Sequence, residues 1–367
     1  MSAHASSPAT TYRVGPVSRE LTRAAAAALH APSFLNTQPW HWRITHDTAL
    51  LYADRRRRLG ILDPTGRLLV LSCGAALHHA CVTLAADGVY FEVDALPSDG
   101  DPDLLAVVRH RGAAEPSTRA QRMRRAIHSR RSDRRPFADR PVPEPAIERL
   151  CVAARRTEAR LQMVWARDLG DLARAAGEAA DAQLADPEYR AELAAWIRSP
   201  GEGHDGVPVD TLAALGARPV PVRDFSAAGA AATITSRVDI ADRQARYGII
   251  VTDGDGQHDW LTAGVALSAV LLTASAEHLA ASPMSDLVEH EVARGTLRRM
   301  LGGVGYPAIA VRIGVPAPGE PPHPAPRRPA AEVIEVIADE IVDPARGPAD
   351  GRTDDGNRPP GVGPPAR

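Results

Sequence analysis

The sequence predicts an α+β protein made of two related, partly degenerate halves in one chain, and three observations carry that prediction. Apolar residues change period along the chain: Ala76, Leu77, Ala80, Cys81 and Leu84 recur at helical spacing, whereas Val89 to Leu96 alternates as a strand. Sliding the chain by 125 positions lays Pro16-Val17 over Pro141-Val142 and Trp40 over Trp165 without a gap. At an offset of 190, Gly74-x-Ala76-Leu77 falls on Gly264-x-Ala266-Leu267, with Thr83 over Thr273. The halves expected are 13–112 and 113–342, followed by a tail, 343–367, with too little apolar content to fold.

In chain order, Val14 to Leu29 reads as a helix with Ser18 as its cap. Strands are expected from His41 through Ile44 and over Leu50 to Ala53. Arg55 to Arg58 reads as a solvated loop. Cys73 to Ala86 is a helix with Gly88 placed to end it, and Gly112 to Ser117 joins the halves. Ala120, Met123 and Ile127 form the inner stripe of a basic helix ending near Ser129, followed by a helix from Pro143 to Arg155 and a strand around Leu161 to Ala166. Leu169 to Ile197 is helical, interrupted at Pro187. Residues 199–224 are too rich in glycine, proline and aspartate for a plain connection and suggest a lid. Gly248 to Thr252 and Ala308 to Ile313 are core strands, Trp260 to Leu279 a long helix, and Val333 to Val342 a last short apolar element.

Composition excludes several function classes. The chain has 367 residues, 44% apolar and 24% charged, with a formal net charge of -2. That is a globular balance, not one built to seek polyanions. All 43 basic residues are arginine, so a single arginine means less here than elsewhere. Three cysteines without C-x-x-C spacing point to a reducing, cytoplasmic setting. No secretory signal is visible, and no apolar segment looks long enough to span a bilayer. Aromatic content of 4% argues against nucleic-acid binding through the arginines of 119–140. Metal sites also fail on spacing. His78 and His79 are helical neighbours that point apart, and Asp253-x-Asp255 would need an acid at the twelfth position, where Gly264 stands. Gly302-Gly303-x-Gly305 precedes Tyr306-Pro307 rather than a helix, so no dinucleotide fingerprint is present.

Two stretches carry the chemistry. Ala31 to Trp40, A-P-S-F-L-N-T-Q-P-W, is a helix-to-strand bend bearing Ser33, Asn36 and Gln38, which can present several hydrogen-bonding groups to one flat polar ligand. About a hundred residues later comes R-R-S-D-R-R-P-F, Arg130 to Phe137. Each half keeps what the other lacks. The second stretch, followed by Pro141-Val142 and a helix, resembles the opening of FMN-dependent nitroreductases. A-P-S-x-x-N-x-Q-P-W resembles the motif those enzymes contribute across a dimer interface. The reversed order, split between halves, looks like the Acg-like branch of that family, as if two subunits had been fused. Asp259-Trp260-Leu261-x-Ala263-Gly264, Ser282-Pro283-Met284 and Arg327-Arg328-Pro329 extend the likeness.

The resemblance implies a nitroreductase-like fold, a monomeric pseudo-dimer, and one FMN per chain. Arg130 would meet the phosphate, with Arg131 beside it and Arg327 and Arg328 closing from the C-terminal segment. Guanidinium forks suit a phosphate dianion. Ser132 would meet the ribityl chain, and Arg134 would sit at the pyrimidine edge, where a cation stabilises charge developing at N1. Pro32, Ser33 and Asn36 would reach the ring from the other half, Gln38 is a further cofactor-binding residue, and backbone near Met284 and Ser285 would approach N5, where the family's usual acidic residue is replaced. The implied activity is NAD(P)H-dependent reduction of a nitroaromatic, quinone or similar electrophile. The alternative is an FMN-sequestering protein whose 199–224 segment shuts out nicotinamide.

Overall fold

The alanine-rich run after Gly15 forms α1 (Pro16–Ala28), with Pro16 in its first turn, where a missing N–H costs nothing. The computed structural model describes residues 15–97, 100–199, 201–212, 218–225 and 241–337; the tail 343–367 and the end of the expected Val333 to Val342 element lie outside them. Ser18 does not cap α1. Gly15 occupies that position, and the Ser18 hydroxyl donates to the His46 carbonyl at 2.8 Å. A hairpin follows, β1 (Trp40–Thr45) and β2 (Thr48–Ala53), whose alternating burial is what a sheet with one packed face requires. Then come α2 (Arg67–Ala86), β3 (Val89–Ala95) and β4 (Leu104–Ala113).

The second half runs through α3 (Thr118–Ser129), α4 (Glu144–Arg155), β5 (Arg160–Met163), α5 (Leu169–Ala185) and α6 (Pro187–Ala195). Asp186 separates the last two by accepting from the Glu188 and Tyr189 amides, a proline-led cap that ends one helix and starts the next. Two short strands, β6 (Ile197–Arg198) and β7 (Val207–Pro208), pair with each other. The order continues with β8 (Arg246–Thr252), α7 (Gln257–Ala276), β9 (Ala280–Met284), α8 (Asp286–Glu289), α9 (Glu291–Met300), β10 (Tyr306–Gly314), α10 (Ala330–Val333) and β11 (Ile334–Ile337).

The two main sheets repeat one plan. The first is ordered β11-β1-β2-β4-β3 and the second β5-β8-β10-β9, so β1-β2-α2-β3-β4 and β5-β8-α7-β9-β10 share both connection and spatial order. Two differences matter. Where β1 and β2 are joined by His46 and Asp47, the stretch from β5 to β8 holds α5, α6 and the expected lid segment. And β11, from the end of the chain, crosses to the first half and lies parallel to β1, pairing Trp42 with Ile334.

Helices α2 and α7 cross at the very glycines that the offset of 190 superimposes. A Cβ built on Gly74 would lie 3.1 Å from the Gly264 Cα and closer still to the Leu261 carbonyl; one built on Gly264 would meet the Leu71 carbonyl. Close backbone approach explains why glycine stands at both positions. One turn further, the Nδ1 atoms of His78 and His79 lie 2.7 and 2.9 Å from the Ser268 hydroxyl, so the two neighbours converge on one atom rather than pointing apart.

Three sequence expectations change. Trp40 opens β1 fully buried, whereas Trp165 lies beyond β5 and is 61% exposed, so that match has no structural counterpart. Strands β4 and β9 and helix α9 were not anticipated. Contrary to expectation, α2 and α7 are each 20 residues long with mean hydropathies of 1.7 and 1.4, enough by length and composition to cross a membrane. They are apolar all round because they form the central layer, packed on each other and on both sheets.

Candidate functional site

The arginine stretch leaves α3 and runs beside β9. Ser132 bridges Ala281, and the Asp133 amide donates to the Ala281 carbonyl at 3.0 Å. Arg312, a fully buried cation within β10, holds this loop from inside. Its guanidinium donates to the carbonyls of Asp133 (2.8 Å) and Arg135 (3.1 Å), stacks over Phe137 at 4.0 Å, and pairs with Asp242. Asp242 also pairs with Arg218 at 2.7 Å and accepts from the Phe137 amide at 2.7 Å. The Asp133 carboxylate is meanwhile spent on Arg135. Ser132 and Arg134 are thereby presented on a loop with few internal freedoms.

The A-P-S stretch is held in an unusual backbone. Leu35, Asn36 and Gln38 all have positive φ, 44°, 57° and 49°, a region costly for side chains other than glycine. The sequence supplies the compensation. Ser33 Oγ accepts from the Gln38 amide (3.0 Å), Ser72 Oγ accepts from the Phe34 amide (3.0 Å), and the Gln38 carboxamide donates to the His204 carbonyl (2.8 Å). Asn36 Nδ2 donates to the carbonyls of Gly206 and Pro326, both at 3.0 Å, while its Oδ1 accepts from Arg327.

Between these stretches lies a cavity in two lobes, each about 850 Å³ counting its open mouth. Pro32, Ser33, Ser132 and Arg134 line both lobes and so join them. One lobe is basic, with Arg130 and Arg131 joined by Arg327 from almost two hundred residues further along the chain. Arg130 is 6% exposed, and its buried Nε and Nη1 have no partner among the described residues. Burial, then the charge of Arg131, brings Arg130 down to about 10; burial, then Arg130 and Arg131, brings Arg327 down to about 9. No carboxylate among the described residues lines this lobe, so these are like charges gathered together, an arrangement that an anion would relieve. The other lobe is mostly apolar, walled by Phe34, Leu71, Leu267, Met284 and Phe225, with Ser285 and Asp286 at its edge. Burial pulls Arg134 down to about 10, and its guanidinium sits 5.6 Å from the Phe225 ring centroid.

Most of the expected residues meet here, with three corrections. Arg328 lines neither lobe: its amide donates to Gln38 Oε1 (2.9 Å), and its side chain turns to the Gln38 carbonyl and Asp54. Gln38 is fully buried and serves the bend rather than the cavity. Asn36 lines the basic lobe, but its amide is consumed in positioning Arg327 and the 206 segment, not in reaching the apolar lobe. Sequence reasoning also missed residues. Arg312 was visible as a lone charge in an apolar strand, and Asp286 as an acid one position from Ser285. Arg223 and His30 carried no signal.

The 199–224 segment touches both lobes. Gly206 and Thr211 line the basic one and Val222 and Arg223 the apolar one, while 200 and 213–217 lie outside the described residues. Arg223 is locked against Glu289 and Tyr189 and reaches Ser285 Oγ at 3.2 Å. Burial works against its charge, but Glu289, Tyr189 and Asp286 outweigh that and raise it above the usual arginine value.

Burial pushes the Asp286 carboxyl up to about 6, with Arg223 opposing and Glu289 adding. Because the folded value exceeds the unfolded one, the stability this group contributes is complete below about pH 4 and is lost as pH rises through about 6. Asp286→Asn is therefore expected to gain on the wild type by about 1.4 kcal/mol between pH 5 and pH 8, one pKa unit's worth, in urea midpoints. An equal difference at both pH values would show Asp286 to be ordinary.

No family model matches the chain. The Mycobacterium tuberculosis H37Rv protein named "Putative NAD(P)H nitroreductase Rv3131" is 34% identical over 315 residues, 84% of this chain and 89% of that protein. The protein named "Putative NAD(P)H nitroreductase acg" from the same strain is 32% identical over 315 residues, 85% of this chain and 94% of its own. Among solved structures, the FMN-dependent nitroreductase NfnB from Mycobacterium smegmatis, in complex with NADPH, aligns at 15% identity and a TM-score of 0.33, covering 54% of this chain and 88% of that one. The identity and coverage of the two M. tuberculosis relatives are sufficient: the chain belongs to the nitroreductase family, in its Acg-like branch.

Proposed function

We propose that this nitroreductase-type oxidoreductase holds one FMN per chain in the two-lobed cavity between its halves, divided near 112/113, and uses it to pass electrons from NAD(P)H to a small electrophile. The observation that carries the reading is the pair Arg130 and Arg327, brought from distant parts of the chain to one end of a cavity, with buried donors on Arg130 unpaired among the described residues. A phosphate dianion is the ligand such forks suit, and the apolar lobe beyond Ser132 suits a flat ring system. The relatives' names support NAD(P)H as the reductant. When bound, FMN would supply the hydride and electron transfer. The chain's own work is to anchor the phosphate through Arg130 and Arg327, to keep the Arg134 cation at the ring end in a setting of low polarity, and to exclude water with Phe34 and Phe225.

The walling of the apolar lobe by Val222, Arg223 and Phe225 favours a second reading, an FMN-holding protein with little turnover in which these residues would keep nicotinamide from the ring. Anaerobic mixing of holoprotein with NADPH separates the two. Loss of the flavin absorbance within seconds is the expected result for the enzyme. Persistent yellow colour in the wild type, with bleaching only after 199–224 is shortened, would assign that segment as a lid that keeps the flavin idle.

A further inference from the structure

Of the three histidines that line the basic lobe, His323 is paired with Asp210, and the flavin reading gives the other two no task. His30 follows the last turn of α1, and His128 lies in the last turn of α3; their rings meet edge to face with centroids 4.6 Å apart. Both line the lobe. The His30 carbonyl accepts from Nη2 of Arg327 at 3.2 Å and of Arg130 at 3.5 Å, which fixes the residue between the two guanidiniums. No carboxylate is among the described residues lining this lobe. Asp210, beside it in the chain, is paired with His323 at 2.8 Å.

The charges facing His30 are therefore all of one sign: His128, Arg130 and Arg131 from the end of α3, and Arg327 from the C-terminal segment. Burial, then His128, Arg327, Arg130 and Arg131, push its imidazole down to about 4, so it is neutral near pH 7. A dianion among the same arginines reverses that balance, since it screens the cations and adds an attraction of its own. We propose that His30 is a phosphate-binding residue of this site, taking up a proton from solvent as the phosphate enters and adding its charge to those of Arg130, Arg131 and Arg327.

This deepens the FMN reading and presumes it, so the test separates the two. FMN is titrated into apoprotein by calorimetry at pH 7 in two buffers of different ionisation enthalpy, with riboflavin, which lacks the phosphate, as the control. The wild type is expected to take up protons with FMN and none with riboflavin. The sign is diagnostic, because the phosphate's own second ionisation, near pH 6, can only release protons when the dianion binds. His30→Gln is expected to lose the uptake and to bind FMN about tenfold more weakly, while binding riboflavin as before. In the wild type itself, proton NMR of the imidazoles should show a histidine titrating at about 4 move above 6 when FMN is added. FMN binding without proton uptake, or with uptake unchanged in His30→Gln, or with no histidine moving, overturns the assignment of His30. Failure of FMN to bind at any pH overturns the flavin reading instead.

Discussion

Arg130→Ala is expected to weaken FMN binding about a hundredfold while leaving the apoprotein folded. Two charge-assisted hydrogen bonds to a phosphate, at about 1.5 kcal/mol each, give that factor. The buried Nε and Nη1 of Arg130 have no partner among the described residues, so they can make such bonds. Removing the residue from apoprotein also removes a buried cation that repels Arg131 and Arg327. The urea midpoint of the variant apoprotein is therefore expected at or above that of the wild type, while its flavin washes away on a desalting column. Unchanged flavin retention would put the phosphate elsewhere. A collapse of apoprotein stability would mean Arg130 serves the fold.

Asp242→Ala is expected to cost about 3–5 kcal/mol, the range for removing one side of a buried ion pair. Asp242 answers both Arg218 and Arg312, and the paired side chains of Arg312 and Asp242 are 0% exposed, so its loss strands two guanidiniums and the Phe137 amide. The effect reaches the cavity, because Arg312 is what holds the carbonyls of Asp133 and Arg135. Flavin retention should fall together with the denaturation midpoint in this variant, whereas Arg130→Ala lowers retention alone. A loss of less than about 1 kcal/mol would mean water reaches the stranded groups and the cluster is not sealed.

How much of this was legible depended on the range of the interaction. The helical spacing of apolar residues in α2, the inner stripe of α3 and the strand alternation after Gly88 are local patterns, so they could be read directly. The repeated halves were legible because Gly74 and Gly264 are held to glycine by one shared contact. The tryptophan match was a coincidence of composition, since burial puts Trp40 and Trp165 in opposite environments. In the site, the arginine and A-P-S stretches could be paired from their motifs, but the division of labour within them could not. Whether Asn36 and Gln38 face a ligand or the backbone depends on three positive φ angles and on where residues 204–206 and 326–328 arrive, none of which is a local property. His30 was invisible for the same reason: its neighbours His128, Arg130 and Arg327 come from two other parts of the chain.

The central claim is that both halves close on a single anionic, planar cofactor, and the flavin content of the purified chain tests it most directly. Absorbance after denaturation, against protein concentration, is predicted to give one FMN per 367-residue chain following incubation with excess FMN and removal of the unbound flavin. A colourless protein that takes up none, or a chain that binds two, would contradict it.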